Sequence, residues 1–167
     1  MVEPGRPDFT LPNWMRLVLI VIAAFQTLGS LNTLPVLFDG DPSIPGTTPG
    51  GLLIAATILL SPVVAVAGFV WALKGELARA VMAVAGVSLL DWISYFPSFV
   101  SHWPDPSLLS FPGPLIFFAL PACAPVAIIL AWRRQWPKLS FGLAIVPWLF
   151  RTLMVIAFAV GVMIYGF

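Results

Sequence analysis

The stretch Arg79 to Val100, RAVMAVAGVSLLDWISYFPSFV, decides how the rest of the chain reads. It is apolar and long enough to cross a bilayer, which takes roughly 20 residues. Yet it carries Asp91 near its middle. An aspartate at the centre of a spanning helix costs about 2.5–3.5 kcal/mol on insertion scales. The charge demands a compensating partner, and Arg151, a cation inside another apolar run, is the candidate.

The composition agrees with a bilayer as solvent. The chain of 167 residues is 60% hydrophobic and 9% charged, whereas a soluble domain carries about 25% charged residues. So little polar side chain cannot cover a water-soluble globule, and residues 1–167 read as a single transmembrane domain. The lone Cys123 excludes an intrachain disulfide and a thiolate metal cluster. The opening MVEPGRPDFTLPNW has no signal-peptide pattern, so the first apolar run is expected to stay as a helix.

Five apolar runs follow from the turn signals between them. They cover about Trp14–Phe38, Gly51–Leu73, Ala80–Val100, Pro114–Trp132 and Leu139–Phe167. Two short basic turns, KGELAR and RRQWPK, alternate with two longer loops, DGDPSIPGTTPG and SHWPDPSLLSFPG. With the N-terminus inside, the cytoplasmic side receives Arg6, Arg16, Lys74, Arg79, Arg133, Arg134 and Lys138, and the outer loops receive no Lys or Arg. Cations gather in this way on the cytoplasmic side of membrane proteins. The expectation is an all-α polytopic membrane protein: a five-transmembrane-helix bundle in the inner or plasma membrane, N-terminus cytoplasmic and C-terminus outside.

On the third run Ser88, Asp91, Ser94, Tyr95 and Ser98 fall on one helical face, opposite Leu89, Leu90, Ile93 and Phe96. A one-sided polar stripe on a spanning helix points into a bundle or a wet cavity. A weaker stripe on the first run is Ala23, Gln26, Ser30 and Thr33. Counting from the basic ends gives Asp91, Arg151 and Gln26 depths of roughly 18, 20 and 15 Å at the helical rise. All three fall near the middle of a hydrocarbon core about 30 Å thick. An ion pair between Asp91 and Arg151 is therefore expected, with Gln26, Ser94 and Tyr95 as hydrogen-bond partners. Two readings of the pair stand beside an ion or ligand pathway: a lock on helix register, and catalysis. A rival placement breaks the last run at Pro147 and puts Arg151 at the inner boundary. It leaves only Thr152–Phe167 to span, roughly 24 Å of helix, and the embedded placement is preferred.

Trp148, three residues before Arg151 and on nearly the same face, and Trp92 beside Asp91 belong either to an aromatic wall or to core packing. His102 and Asp105, in HWPD, form a polar site in an outer loop. One histidine cannot by itself make a multi-ligand metal site, and no metal is assigned. Prolines 35, 62, 97, 121, 125 and 147 predict kinks or hinges, with LPACAPV the best place for a real distortion. Small residues at helical spacing, Thr57, Ser61, Ala65, Gly68 and Ala72 on the second run and Ala119, Cys123, Ala127 and Ala131 on the fourth, predict close packing seams. Those seams could also hold a homo-oligomer or a larger membrane complex.

No phosphate-cradling glycine loop, HExxH, CxxC or GxSxG occurs. Catalytic residues are thus not assigned, the balance leans away from an enzyme, no cofactor is indicated, and nothing points to nucleic acid. The partner called for by the composition is the lipid bilayer. The first function expected is transport, channel activity or membrane-ligand binding through the polar interior; the second is a non-catalytic accessory or assembly subunit of a larger complex; the third, a membrane enzyme acting on lipid or at the outer surface, would need Asp91 or His102 near a lipid-accessible cleft.

Overall fold

A computed structural model describes residues 9–38, 48–101 and 118–166. The described residues form five α-helices and no strand. These are α1 (Asn13–Thr33), α2 (Pro49–Lys74), α3 (Leu77–Ser101), α4 (Leu120–Trp132) and α5 (Pro137–Tyr165), with a 3-10 turn at Leu34–Leu37 after α1. Four of them, α1 with its 3-10 turn, α2, α3 and α5, are long and apolar enough to cross a membrane. α4 is described over 13 residues, fewer than the roughly 20 a span needs. The expected start of that run at Pro114 lies outside the described residues.

The helix ends follow local chemistry. Thr48 caps α2, its Oγ1 accepting from the Gly51 N–H at 3.1 Å, and Pro49 follows at the first helical position, where no amide donor is needed. Gly75, at φ 80°, closes α2 in the left-handed conformation that favours glycine. Glu76 then stands at the start of α3, where a carboxylate suits the helix dipole, and pairs with Arg79 one turn on. Pro35 ends α1 earlier than the apolar run suggests. It has no amide to donate, so the last turn tightens to 3-10 geometry. By contrast, α2, α3 and α5 run on through Pro62, Pro97 and Pro147. The expected distortion near LPACAPV takes the form of a widened turn at Phe118–Ala119, just ahead of Pro121.

The axis of the bundle is α3, which packs against all four other helices. Its tightest neighbour is α2. A Cβ on Gly68 would stand 2.8 Å from the Ala83 Cβ, so only glycine permits this approach. The predicted α2 seam of Thr57, Ser61, Ala65, Gly68 and Ala72 is buried along its whole length, and it is used within the chain. On α4, Ala127 and Ala131 are buried, while Cys123 is half-buried and Ala119 exposed.

Contacts bring the basic residues to one end. The Arg16 guanidinium donates to the Ala72 and Leu73 carbonyls at 3.3 and 2.7 Å, satisfying free carbonyls at the end of α2. Trp14 meets Phe141 edge-on at 6.0 Å, joining the starts of α1 and α5. Ser140, fully buried, donates to the Ala127 carbonyl at 2.9 Å and ties α5 to α4. The dry core occupies this half: Leu19, Ile22, Ala23, Val81, Val84 and Ala144 are all at most 2% exposed. Outward, the helices present large apolar side chains such as Leu17, Leu28, Val63 and Phe158, each more than half exposed. A soluble monomer does not carry so much apolar surface, and the bundle is built for an apolar surrounding.

Candidate functional site

Above the dry core the helices part. A cleft of about 760 Å³ lies between α1, α2, α3 and α5. Its floor is at the level of Gln26, Ser61 and Val87, and its walls rise to Thr33, Ile54, Ser98 and Ile156. The polar stripes of α1 and α3 face it, apart from Ala23 and Ser88 at their lower ends. Two α2 residues that the sequence marks only as seam members, Thr57 and Ser61, also line it. Their hydroxyls at a spacing of four residues were the available signal.

Asp91 and Arg151 meet in this cleft. Arg151 Nη1 donates to Asp91 Oδ2 at 2.6 Å, joining α3 to α5 across 60 residues of chain. The side chains are 40% and 61% exposed respectively, so the pair sits on the cleft wall and not inside a sealed core. α5 is continuous through Pro147, so the expected alternative of a break at that proline is absent. Arg151 is 14 residues past the start of α5, roughly 21 Å along the helix. An unpaired charge among apolar helices is costly, and each of these side chains is the other's remedy.

The expected hydrogen-bond partners do not reach the pair. Gln26 is 7% exposed and donates its Nε2 to the Val84 carbonyl at 3.2 Å, on the cleft floor. Val84 precedes Asp91 by seven residues, roughly 10 Å of helix, which is too far for Gln26 to serve the carboxylate. Ser94 Oγ donates to the backbone carbonyl of Asp91 at 2.6 Å, not to its carboxylate. Tyr95 is 57% exposed at the rim, with its ring also beside Trp92, Phe96, Phe99 and Phe118. Ser88 donates to the Val84 carbonyl at 3.3 Å and does not line the cleft. Trp148 does line it, its ring tilted against Phe25 at 6.2 Å. Trp92 goes instead to an aromatic cluster with Phe96 at 5.8 Å. His102 and Asp105 lie outside the described residues.

One polar atom is left over. Gln26 Oε1 is buried and has no hydrogen-bond partner among the described residues. A buried, unsatisfied amide oxygen costs about 1–3 kcal/mol, and such a group at the floor of a roomy polar cleft suits a water or a ligand donor. The arrangement can therefore hold a small polar or amphipathic molecule by an exposed guanidinium, an exposed carboxylate and a deep acceptor. No protein-family model matches this chain, and neither the curated proteins nor the solved structures contain a match.

Proposed function

We propose that this chain is a small multi-pass protein of an inner or plasma membrane that binds a small molecule in the Asp91–Arg151 cleft, for transport or for membrane-ligand binding. In this reading it crosses the bilayer five times, with its N-terminus cytoplasmic. The gathering of Arg16, Lys74, Arg79, Arg133, Arg134 and Lys138 at one end supports that orientation. The observation that carries the binding reading is the ion pair standing 40% and 61% exposed in a cleft of about 760 Å³. That volume is in the range of small-molecule pockets, about 300–1,000 Å³. Packing of Leu19, Ile22, Ala23 and Val84 closes the cleft toward the basic end, which favours a binding site reached from the opposite end or from the side over an open channel.

Thiol access tests the reading. On a Cys123→Ser background, Ser94→Cys and Gly29→Cys should react with a small hydrophilic thiol reagent in intact membranes, and Val84→Cys should not. Ser94→Cys that stays unreacted until the protein is denatured would remove the wet cleft. A second reading, an accessory subunit packed against a larger complex, draws on the far half of α5, where Leu153, Val155 and Phe158 are each more than 60% exposed. It predicts that a partner subunit co-purifies at a fixed ratio and that its removal exposes this half of α5 to crosslinking.

A further inference from the structure

The hydrogen-bonding inventory of the cleft narrows the chemistry of its occupant. Most hydroxyls there have spent their protons on their own helices. Ser30 donates to the Gln26 carbonyl at 2.7 Å, Thr33 to Ser30 at 2.8 Å, Thr57 to Ile54 at 2.7 Å, and Thr152 to Trp148 at 2.9 Å. Ser94 does the same with Asp91. A hydroxyl has one proton and two lone pairs, so each of these oxygens offers the cleft an acceptor only. At the floor, Gln26 commits its Nε2 to Val84, while its buried Oε1 is unpartnered among the described residues. Asp91 is an acceptor by nature and is held through one of its two oxygens. Against these stand as donors the remaining N–H groups of Arg151, which uses Nη1 alone on Asp91, and the uncommitted hydroxyls of Ser61 and Tyr95 in the lining. Acceptors outnumber donors around the ion pair, which suits a ligand that brings N–H groups to Asp91.

Charge sets a second limit. Asp91 and Arg151 sum to zero. A singly charged ligand can engage one of them only by drawing it from the other, which is then left without its partner. A ligand carrying both signs engages both. Shape sets the third. The rings of α1 and α5 meet at Trp14–Phe141 and again at Phe25–Trp148. One turn beyond Phe25, Gly29 faces open space, with nothing within 4 Å of where a Cβ would stand. The cleft wall there is apolar, with Val36, Val155 and Ile156, and an acyl chain can leave between the two helices.

Resting on the binding reading above, we propose that the cleft takes a net-neutral zwitterion with a primary ammonium beside a phosphate or carboxylate, the head of an amphiphile whose tail leaves between α1 and α5. The anion meets the free N–H groups of Arg151. The ammonium N–H groups meet the Asp91 carboxylate, whose second oxygen is not used by Arg151. A quaternary ammonium has no N–H to donate to the carboxylate of Asp91.

Native mass spectrometry of the full chain in detergent, offered equal amounts of phosphatidylethanolamine, phosphatidylcholine and phosphatidylglycerol, tests this. The ethanolamine lipid should be retained about tenfold over each of the others, which is about 1.4 kcal/mol. Asp91→Asn, which leaves the guanidinium unpaired, should turn the selectivity toward phosphatidylglycerol, a reversal that a purely structural role would not produce. If water-soluble glycerophosphoethanolamine displaces the lipid at comparable concentration, the head is taken as a free solute; if it does not, as a lipid. Equal retention of ethanolamine and choline lipids by the unmodified chain, preference for the anionic lipid, or no retention at all would each overturn the proposal. The wild-type comparison is decisive by itself should a variant fail to fold. Retained thiol reactivity of Ser94→Cys together with absent lipid preference would reject the ligand class and leave the cleft standing.

Discussion

The two halves of this bundle solve opposite problems with the same helices. Toward the basic end, α1, α3, α4 and α5 close on alanine and valine, and Leu19, Val81, Val84 and Ser140 are wholly or almost wholly buried. Toward the other end, α1 and α3 present Gln26, Ser30, Asp91 and Ser94, and the helices stand apart around a cleft. The change happens within single helices. On α3 it falls between Val84 and Asp91, on α1 between Ala23 and Ser30, and on α5 between Ile145 and Arg151. Small apolar side chains let backbones approach, while charged and hydroxylated ones need space and partners. The dry half serves as the clamp that fixes the relative heights of α3 and α5, and so allows an acid and a base 60 residues apart to meet.

If that division holds, substitutions in the clamp should cost far more than substitutions beside the cleft. The largest effect is expected at Leu19, wholly buried at the centre of the clamp. Leu19→Ala should lower stability by about 2–5 kcal/mol, read as a fall in thermal unfolding temperature in detergent. A loss no larger than that of an exposed leucine such as Leu17→Ala would deny the clamp its role. Next comes the α2–α3 seam. Gly68→Val forces a methyl onto Ala83 and should cost about 1–3 kcal/mol, part of which Ala83→Gly on the same chain should return. The absence of any rescue would place the close approach elsewhere. The smallest effect belongs to the cleft. At Gly29 a methyl meets nothing, and Gly29→Ala should be neutral or stabilise by up to about 1 kcal/mol through helix propensity. A clear destabilisation there would mean that α1 and α5 close over this position.

How much of this was legible in the sequence follows from which residues are costly in oil. Asp91 and Arg151 could be paired from the chain alone, since charges inside apolar runs need one another and matching depth follows from a count of residues. The α2 seam was legible because small residues recurred at helical spacing, and the structure adds that the seam is used by α3. What Gln26 and Ser94 bond to was not legible. A polar stripe gives a face, but the choice between a neighbouring carboxylate and a nearby backbone carbonyl turns on distances of a few ångströms. Ser140 gave no warning, because one serine at the start of a helix resembles any interfacial residue. Its role depends on Ala127 coming within 2.9 Å. The early end of α1 was available in Pro35, whose missing amide stops regular helix there.

The meeting of Asp91 and Arg151 holds the cleft's charges together, and a double-mutant cycle measures it most directly. Asp91→Asn, Arg151→Gln and the double variant should be compared for unfolding in lipid nanodiscs. Groups in one ion pair should show a coupling of about 0.5–3 kcal/mol, so that the double variant is more stable than the sum of the single losses predicts. Losses that add to within about 0.3–0.5 kcal/mol, the behaviour of independent sites, would show that the two charges do not meet.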